Sequence, residues 1–289
     1  MAHKTKTLNF DEFYQDLYPM IWDQLKEALL ADEKQMIRNC FGAPQVITQQ
    51  TVANQPLYES SLGKLSHSKN SDHLRQYYIM DPASYYCAHF LGAKTGEVIL
   101  DMCAAPGGKS LIILEKLGNS GQLWANEISK SRRERLTQVI RDYVPHTLRE
   151  LIFVKGKDGL QYGIQLPEHF DRVLVDAPCS SERHVLKNPE ELKKWGPKRT
   201  KKLAGIQYGL LCSAALACKQ GGTIVYSTCS LSPLENDGVV EKFLKKKSDQ
   251  VELVQESHQY FSQTEYGLIS LPHEHKIGPI YMAKFLKKN

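Results

Sequence analysis

The seven cysteines contain no C-x-x-C pair, which argues against a zinc site and leaves no metal expected. The sequence gives no reason to expect a secretory leader, and it holds no apolar run of membrane-spanning length. With an odd cysteine count, the expectation is a reduced, intracellular, soluble protein with no membrane contact. The dinucleotide fingerprint G-x-G-x-x-G is missing, and the spacing ahead of Gly108-Lys109-Ser110 is not that of a P-loop. A large charge imbalance is missing too. The net charge of +5 permits an anionic partner without demanding one.

What is present is the material of an α/β domain. The 289 residues, 42% hydrophobic and 24% charged, suffice for one large domain or two modest ones. Aromatic and aliphatic residues recur at helical spacing over residues 8–42, which reads as an amphipathic helix packed on a core. Residues 43–74 read as a long loop or linker. Asp81-Pro82 suits a helix start, with Asp81 as cap. From residue 97 onward, strands (97–101, 122–126, 151–155, 171–176, 222–228) alternate with helices (108–117, 129–142, 199–219, 235–247). That alternation predicts a mostly parallel sheet covered on both faces. The division expected is 1–74, a helical segment and linker, and 75–289, a catalytic domain.

Ligands of such sheets bind outside the carboxyl ends of the strands. The first strand ends in Asp101-Met102-Cys103-Ala104-Ala105-Pro106-Gly107-Gly108-Lys109-Ser110. Gly107 and Gly108 allow a sharp turn and close approach of a ligand, and the helix behind them offers its amides to a negative group. An ordinary strand-to-helix connection is the alternative. Glu127, about 20 residues beyond, can accept from ribose hydroxyls or be a solvated loop acid. Asp158 precedes a glycine and could accept from an adenine amino group or simply make an Asp-Gly turn. The later strands end in Asp176-Ala177-Pro178-Cys179 and Ser227-Thr228-Cys229. A thiol at the mouth of a strand becomes a nucleophile once deprotonated. Cys212 and Cys218 lie in an apolar helical stretch and read as small buried hydrophobes, as do Cys40, Cys87 and Cys103. The densest basic stretch includes Lys193, Lys194, Trp195, Lys198 and Arg199. It suits phosphate contact with Trp195 stacking on a base, or else a solvated charged face.

Residues 101–109, 176–179 and 226–231, followed by Glu235-Asn236, resemble the motifs of the Sun-type (RsmB-like) RNA cytosine-5 methyltransferases. The resemblance covers roughly residues 75–289. Tyr77-Tyr78-Ile79-Met80-Asp81, Tyr143-Val144-Pro145, Arg183-His184 and Gly278-Pro279-Ile280-Tyr281 look most like the mitochondrial branch. It implies a Rossmann-like fold and S-adenosylmethionine as cofactor. The implied substrate is RNA (rRNA or tRNA), with a protein partner for RNA targeting conceivable. The location implied is the mitochondrial matrix for a eukaryotic chain and the cytoplasm for a bacterial one. By the same analogy Cys229 adds to C6 of cytosine, Cys179 assists proton removal and release, and Asp176 hydrogen-bonds the base near the methionine part of the cofactor. Cys103, Ala104, Ala105, Pro106, Gly107, Gly108 and Lys109 would hold the methionine end, Glu127 the ribose and Asp158 the adenine surroundings. The target base must leave its stack to be reached. Two departures stand out. Ser180-Ser181-Glu182-Arg183-His184 replaces the common Ser-Gly-x-Gly, and Glu127 replaces the more frequent Asp. The rival readings are a DNA enzyme with Cys179 as nucleophile and a ribosome-assembly or RNA-binding factor using the fold as scaffold.

Overall fold

The computed structural model describes residues 8–43 and 68–289, and the backbone of 51–52 and 55–56. Most of the stretch 43–74, read as a loop from sequence, lies outside the described residues.

Helix α1 (Phe10–Leu17) starts from a reciprocal cap in which Asn9 and Glu12 each satisfy the other's backbone amide. Helix α2 (Trp22–Leu30) follows and buries Trp22, Leu25 and Leu29. The single helical stretch expected over 8–42 is thus corrected. It breaks around Pro19, which has no amide proton to continue a helix. It also ends early, because Met36–Asn39 is strand β1. Strands β2 (Thr51–Val52) and β3 (Gln55–Pro56) pair with each other. Strand β4 (Tyr77–Met80) pairs antiparallel with β1, from Met36 opposite Met80 to Asn39 opposite Tyr77. A distant partner for the backbone overrides the local helical pattern there. Asp81 caps helix α3 (Pro82–Phe90) as expected, accepting from Ala83 N at 2.7 Å.

The parallel strands are β5 (Val98–Asp101), β6 (Gln122–Asn126), β7 (Ile152–Lys155), β8 (Phe170–Asp176) and β9 (Cys218–Thr228). They lie in the order β7-β6-β5-β8-β9. Between them run α4 (Gly108–Leu117), α5 (Lys130–Tyr143), α6 (Tyr162–Gln165), α7 (Glu182–Lys187), α8 (Pro189–Lys194) and α9 (Pro197–Ala217); α10 (Asp237–Lys247) follows β9. The four helices expected in this region match α4, α5, α9 and α10 to within two residues at each end. Cys218 is corrected from helix to the first residue of β9, where burial pushes its thiol up to about 12.

The chain beyond residue 247 adds an antiparallel flank that periodicity did not foretell. It consists of β10 (Val251–Val254), β11 (Ser262–Gln263), β12 (Leu268–Ser270), the short α11 (Pro272–His275) and β13 (Ile280–Lys287). β13 pairs with β9, β10 and β12. The main sheet then has nine strands among the described residues.

One face of the sheet is covered by α3, α4 and α5, the other by α9 and α10. On α4, Leu111, Ile112, Ile113, Leu114 and Leu117 are exposed by 1% or less. Each such burial contributes up to about 1.5–3 kcal/mol. A third cluster joins the N-terminal helices to the catalytic side: Phe10, Tyr14, Trp22, Leu25 and Leu29 pack with Val185, Trp195 and Leu231. The chain leaves β5 toward β6 on one side, while β8 lies on the other. That reversal of strand order opens the crevice where ligands of such sheets bind.

Candidate active site

The two strands flanking the crevice end in carboxylates. Asp101, closing β5, is almost wholly buried and accepts from Ser110 Oγ at 2.6 Å. Its other oxygen has no hydrogen-bond partner, and burial pushes the carboxyl up to about 7. Asp176, closing β8, accepts from Lys109 Nζ at 2.9 Å and from Ser227 Oγ at 2.9 Å. Lys109 Nζ also reaches Ser84 Oγ at 3.1 Å. Burial works against the Lys109 charge, but the adjacent Asp176 carboxylate and its acidic neighbours more than offset it. The ammonium therefore titrates well above its ordinary range.

The glycine turn lies between these groups. Gly107 is at φ +119°, in the region that favours glycine, and a Cβ there would press Leu136 and Val139 at 3.0–3.1 Å. A Cβ on Gly108 would stand 2.8 Å from the Tyr78 ring. Gly107 is therefore favoured by backbone and packing, and Gly108 by packing against Tyr78. Cys103, Ala104, Ala105, Pro106, Gly107, Gly108 and Lys109 all line a cavity of about 200 Å³ that Asp101 and Asp176 share.

Glu127, past the end of β6, is 3% exposed. One oxygen accepts from Ser129 N at 2.9 Å. The other makes no hydrogen bond and has only Arg132 Nη1 near it, at 3.4 Å. Arg132 in turn donates to Ala105 O at 2.9 Å, tying Glu127 to the rim of the turn. Asp158 is exposed and accepts from Leu160 N at 3.0 Å, so it caps the short 3-10 turn Gly159–Gln161. A residue not singled out from the sequence, Asn126, cross-ties these strand ends. Its side chain bonds Met102 O, Lys157 O and Lys157 N at 2.9–3.0 Å and accepts from Tyr162 OH at 3.1 Å.

The parallel pairing of β8 and β9, with Asp176 opposite Ser227, brings the two cysteine motifs together. Cys179 Sγ and Cys229 Sγ are 2.8 Å apart, both free thiols, with Cys229 exposed and Cys179 half-buried. A hydrogen bond from Cys179 lowers the Cys229 thiol below its ordinary value. The same bond, with burial, raises Cys179 well above it. The two thiols are thus in direct contact, with the outer one the more acidic of the pair.

A buried acidic brace holds both loops. Glu182, fully buried, accepts from Ser180 Oγ after Cys179. It also accepts from Ser230 Oγ and Leu231 N after Cys229, both at 3.0 Å. Tyr14 OH of α1 donates to the same carboxylate at 2.5 Å. Glu235 accepts from Ser180 N at 3.0 Å and from Gln207 Nε2 at 2.8 Å; burial, then the Glu182 charge, raises it to about 7. Asn236 accepts from Thr228 Oγ1 at 2.6 Å and donates to Ser230 O at 2.8 Å. In the sequence Glu235-Asn236 stand out only through the resemblance, and Glu182 only as part of the departure that follows Cys179. Their signal, polar residues among buried neighbours, is visible only once the loops are folded together.

A cleft of about 880 Å³ leads over this site. Its lining includes Lys109, Asp176, Cys179, Ser181, Arg199 and Cys229. The basic stretch is corrected in part. Trp195 is 9% exposed, with ring centroids 5.0–5.9 Å from Phe10, Phe13 and Tyr14, so it belongs to a core and is not available to stack on a base. Lys193 pairs with Glu190 and Arg199 with Glu191, both at 2.9 Å; Lys194 and Lys198 are exposed. Arg183 and His184, which the sequence offered only through the resemblance, and Lys187, which it did not single out, line the cleft from α7 with Arg199. Among the described residues no cluster of metal-ligating side chains occurs, and no helix is long and apolar enough to cross a membrane.

A mostly parallel, Rossmann-like sheet with a glycine turn and acids at its switch point defines the class, and with the family match that follows it is the fold of S-adenosylmethionine-dependent methyltransferases. Residues 88–286 match the family model described as 16S rRNA methyltransferase RsmB/F, and the chain belongs to that family of RNA cytosine-5 methyltransferases. It is 37% identical over 236 residues to the zebrafish (Danio rerio) protein named tRNA (cytosine(34)-C(5))-methyltransferase, mitochondrial, covering 77% of this chain and 64% of that protein. It is 36% identical over 232 residues to the bovine (Bos taurus) 5-cytosine rRNA methyltransferase NSUN4, covering 74% and 60%. The chain therefore spans about three-fifths of the length of these relatives. In fold it is similar to a methyltransferase homolog protein from Pyrococcus horikoshii, with a TM-score of 0.73, 23% identity, and coverage of 96% of this chain and 93% of that one.

Proposed function

We propose that this chain methylates C5 of cytosine in RNA through a covalent bond between Cys229 and C6, with Cys179 assisting release. The observation that carries the reading is the pair of thiols 2.8 Å apart in the cleft that Asp176 also lines, the exposed thiol being the more acidic. C5 of cytosine is a poor nucleophile. A lone pair from the Cys229 sulfur forms the S–C6 bond, and the C5=C6 π electrons then make C5 enamine-like. Asp176, held by Lys109 and Ser227, would accept from the 4-amino group of the base and help to deliver a proton to N3 as negative charge develops there. After methylation the C5 proton passes to water, with Cys179 assisting its removal; the C5–H pair restores C5=C6 and the S–C6 pair returns to Cys229. Cys179, next to the leaving sulfur, assists that step.

S-adenosylmethionine, when bound, supplies the methyl group. The residues present fit it: one oxygen each of Asp101 and Glu127 is buried without a hydrogen bond, and Asp101 lines the cavity at the turn together with Tyr78, Lys109 and Asp176. The 103–109 turn would hold its methionine end, Glu127 its ribose, and Asp158 its adenine surroundings through the oxygen left free by the cap. We assign the chemistry to residues 75–289 and give 1–74 a bracing role. The substrate we infer is rRNA or tRNA, with Arg183, His184, Lys187 and Arg199 as the phosphate-facing groups. A mitochondrial site is carried by the likeness to the zebrafish protein.

The test incubates the full chain with methyl-labelled S-adenosylmethionine and total rRNA or tRNA, with no other protein added. The wild type transfers label to cytosine C5, and Cys229→Ala transfers none while still binding the cofactor. Unchanged turnover in Cys229→Ala would overturn the nucleophile assignment. An adduct on Cys179 with Cys229 intact would reverse the roles of the two cysteines.

A further inference from the structure

We propose that Ser181 is a positioning residue whose hydroxyl donates to the Cys229 sulfur and holds it as thiolate before attack; the inference rests on Cys229 being the nucleophile. Three observations carry it.

The first is conformational. Ser181 is at φ +53°, in the left-handed region where glycine is unstrained and serine is not. A side chain is retained at a position where the backbone favours having none.

The second is local. Ser181 stands immediately before α7, where a serine ordinarily accepts from an amide of the first turn. Here it makes no such cap bond. Its Oγ lies instead 3.3 Å from Cys229 Sγ, 3.5 Å from Cys179 Sγ and 3.5 Å from Cys179 O. The neighbouring Ser180 cannot take this part, because its hydroxyl is buried against Glu182 and Ser230.

The third is the charge around the sulfur. Asp176 at the end of β8 and Glu182 on α7 both oppose a thiolate at Cys229. Lys109 of α4 is committed to Asp176, and Arg183, His184 and Arg199 line the same cleft from α7 and α9 without a bond to the sulfur. Among the described residues the groups placed to donate to Cys229 are the Cys179 thiol, which is weak, and the Ser181 hydroxyl, which is stronger and whose alternative acceptor, Cys179 O, is farther at 3.5 Å. As the sulfur gives its lone pair to C6, its charge falls and the hydroxyl is released toward Cys179.

The experiment measures alkylation of Cys229 by iodoacetamide against pH, mapped by peptide mass spectrometry, in the full-length wild type, Ser181→Ala and Ser181→Gly. Removal of one hydrogen bond to a charged sulfur raises the apparent Cys229 pKa by about one unit and slows alkylation at neutral pH roughly three- to tenfold. The acidic, rising limb of the kcat/KM profile for methyl transfer moves to higher pH in the same way, and KM for S-adenosylmethionine stays unchanged. Ser181→Gly relieves the left-handed backbone, so it melts no lower than the wild type and still shows the shift. A merely structural serine would predict the reverse for that variant. Profiles that coincide with the wild type, or a Cys229 pKa that falls on loss of the hydroxyl, would overturn the inference while leaving Cys229 the nucleophile. A wild-type Cys229 that titrates like a free thiol, with turnover surviving Cys229→Ala, would remove the underlying reading and this inference with it.

Discussion

At the scale of single residues, the site is a set of buried acids given definite work. Asp101 and Glu235 both stand at about 7 in the folded chain, raised chiefly by burial, against ordinary values of 3.8 and 4.5. A carboxyl whose folded pKa is raised holds its proton better in the folded state. Its stabilisation is complete below the unfolded pKa and is lost as pH rises through the folded one. The cofactor-free protein is therefore expected to lose stability from these two groups between about pH 4 and 7. Urea unfolding of wild type and Glu235→Gln at pH 5 and pH 8 reads the effect. The wild type should lose about 2–3 kcal/mol more than the variant across that interval, and equal losses would show that Glu235 is ionised throughout. The Lys109–Asp176 pair makes a further prediction. Lys109→Met leaves the Asp176 carboxylate short of its partner and should cut kcat at least tenfold. Turnover within twofold of wild type would show that the pair is not needed to hold Asp176.

At the scale of elements, the N-terminal helices are more than an appendage in sequence. α1 delivers Tyr14 OH to Glu182, and Tyr18 OH reaches Leu231 O at 2.5 Å, so this segment touches both cysteine loops from behind. Tyr14→Phe takes one donor from a buried carboxylate that keeps three others. The expected cost is about 1–3 kcal/mol of stability, with a fall in kcat larger than any change in KM for S-adenosylmethionine, because the cofactor turn lies on a different element. Calorimetric unfolding and steady-state kinetics check both parts, and an unchanged kcat would confine Tyr14 to the core. The α7 loop is the other decisive element. It carries Ser181, Glu182 and the basic Arg183 and His184 within a few residues. Its departure from the family pattern was plain in the sequence, but what the departure achieves depends on two loops that only the sheet brings together.

At the scale of the molecule, the parallel half of the fold was legible because its signals are local. The run from Val98 to Asp101, the glycine turn and the apolar α4 read as strand, turn and helix without reference to anything else. The same holds for β6, α5, β8 and α9. What escaped depends on partners far along the chain. Met36–Asn39 becomes a strand only against Tyr77–Met80, and the flank around β13 only against β9. Trp195 looked like a stacking residue among lysines until α1 and α2 were seen to cover it. The cofactor turn and both cysteines could be named from strand-end logic and resemblance. Their brace could not, since Glu182, Glu235 and Asn236 act across residues scattered through the chain.

The central claim is that Cys229 bonds the base and Cys179 helps to let it go. The most direct measurement uses Cys179→Ala, purified from its own cells under denaturing conditions. The account predicts a slow-migrating, nuclease-sensitive adduct whose peptide carries the nucleotide on Cys229, and whose RNA, sequenced, names the target cytosine. An active enzyme with no trapped adduct would contradict the release role of Cys179. A nucleotide found on any other residue would contradict the mechanism as a whole.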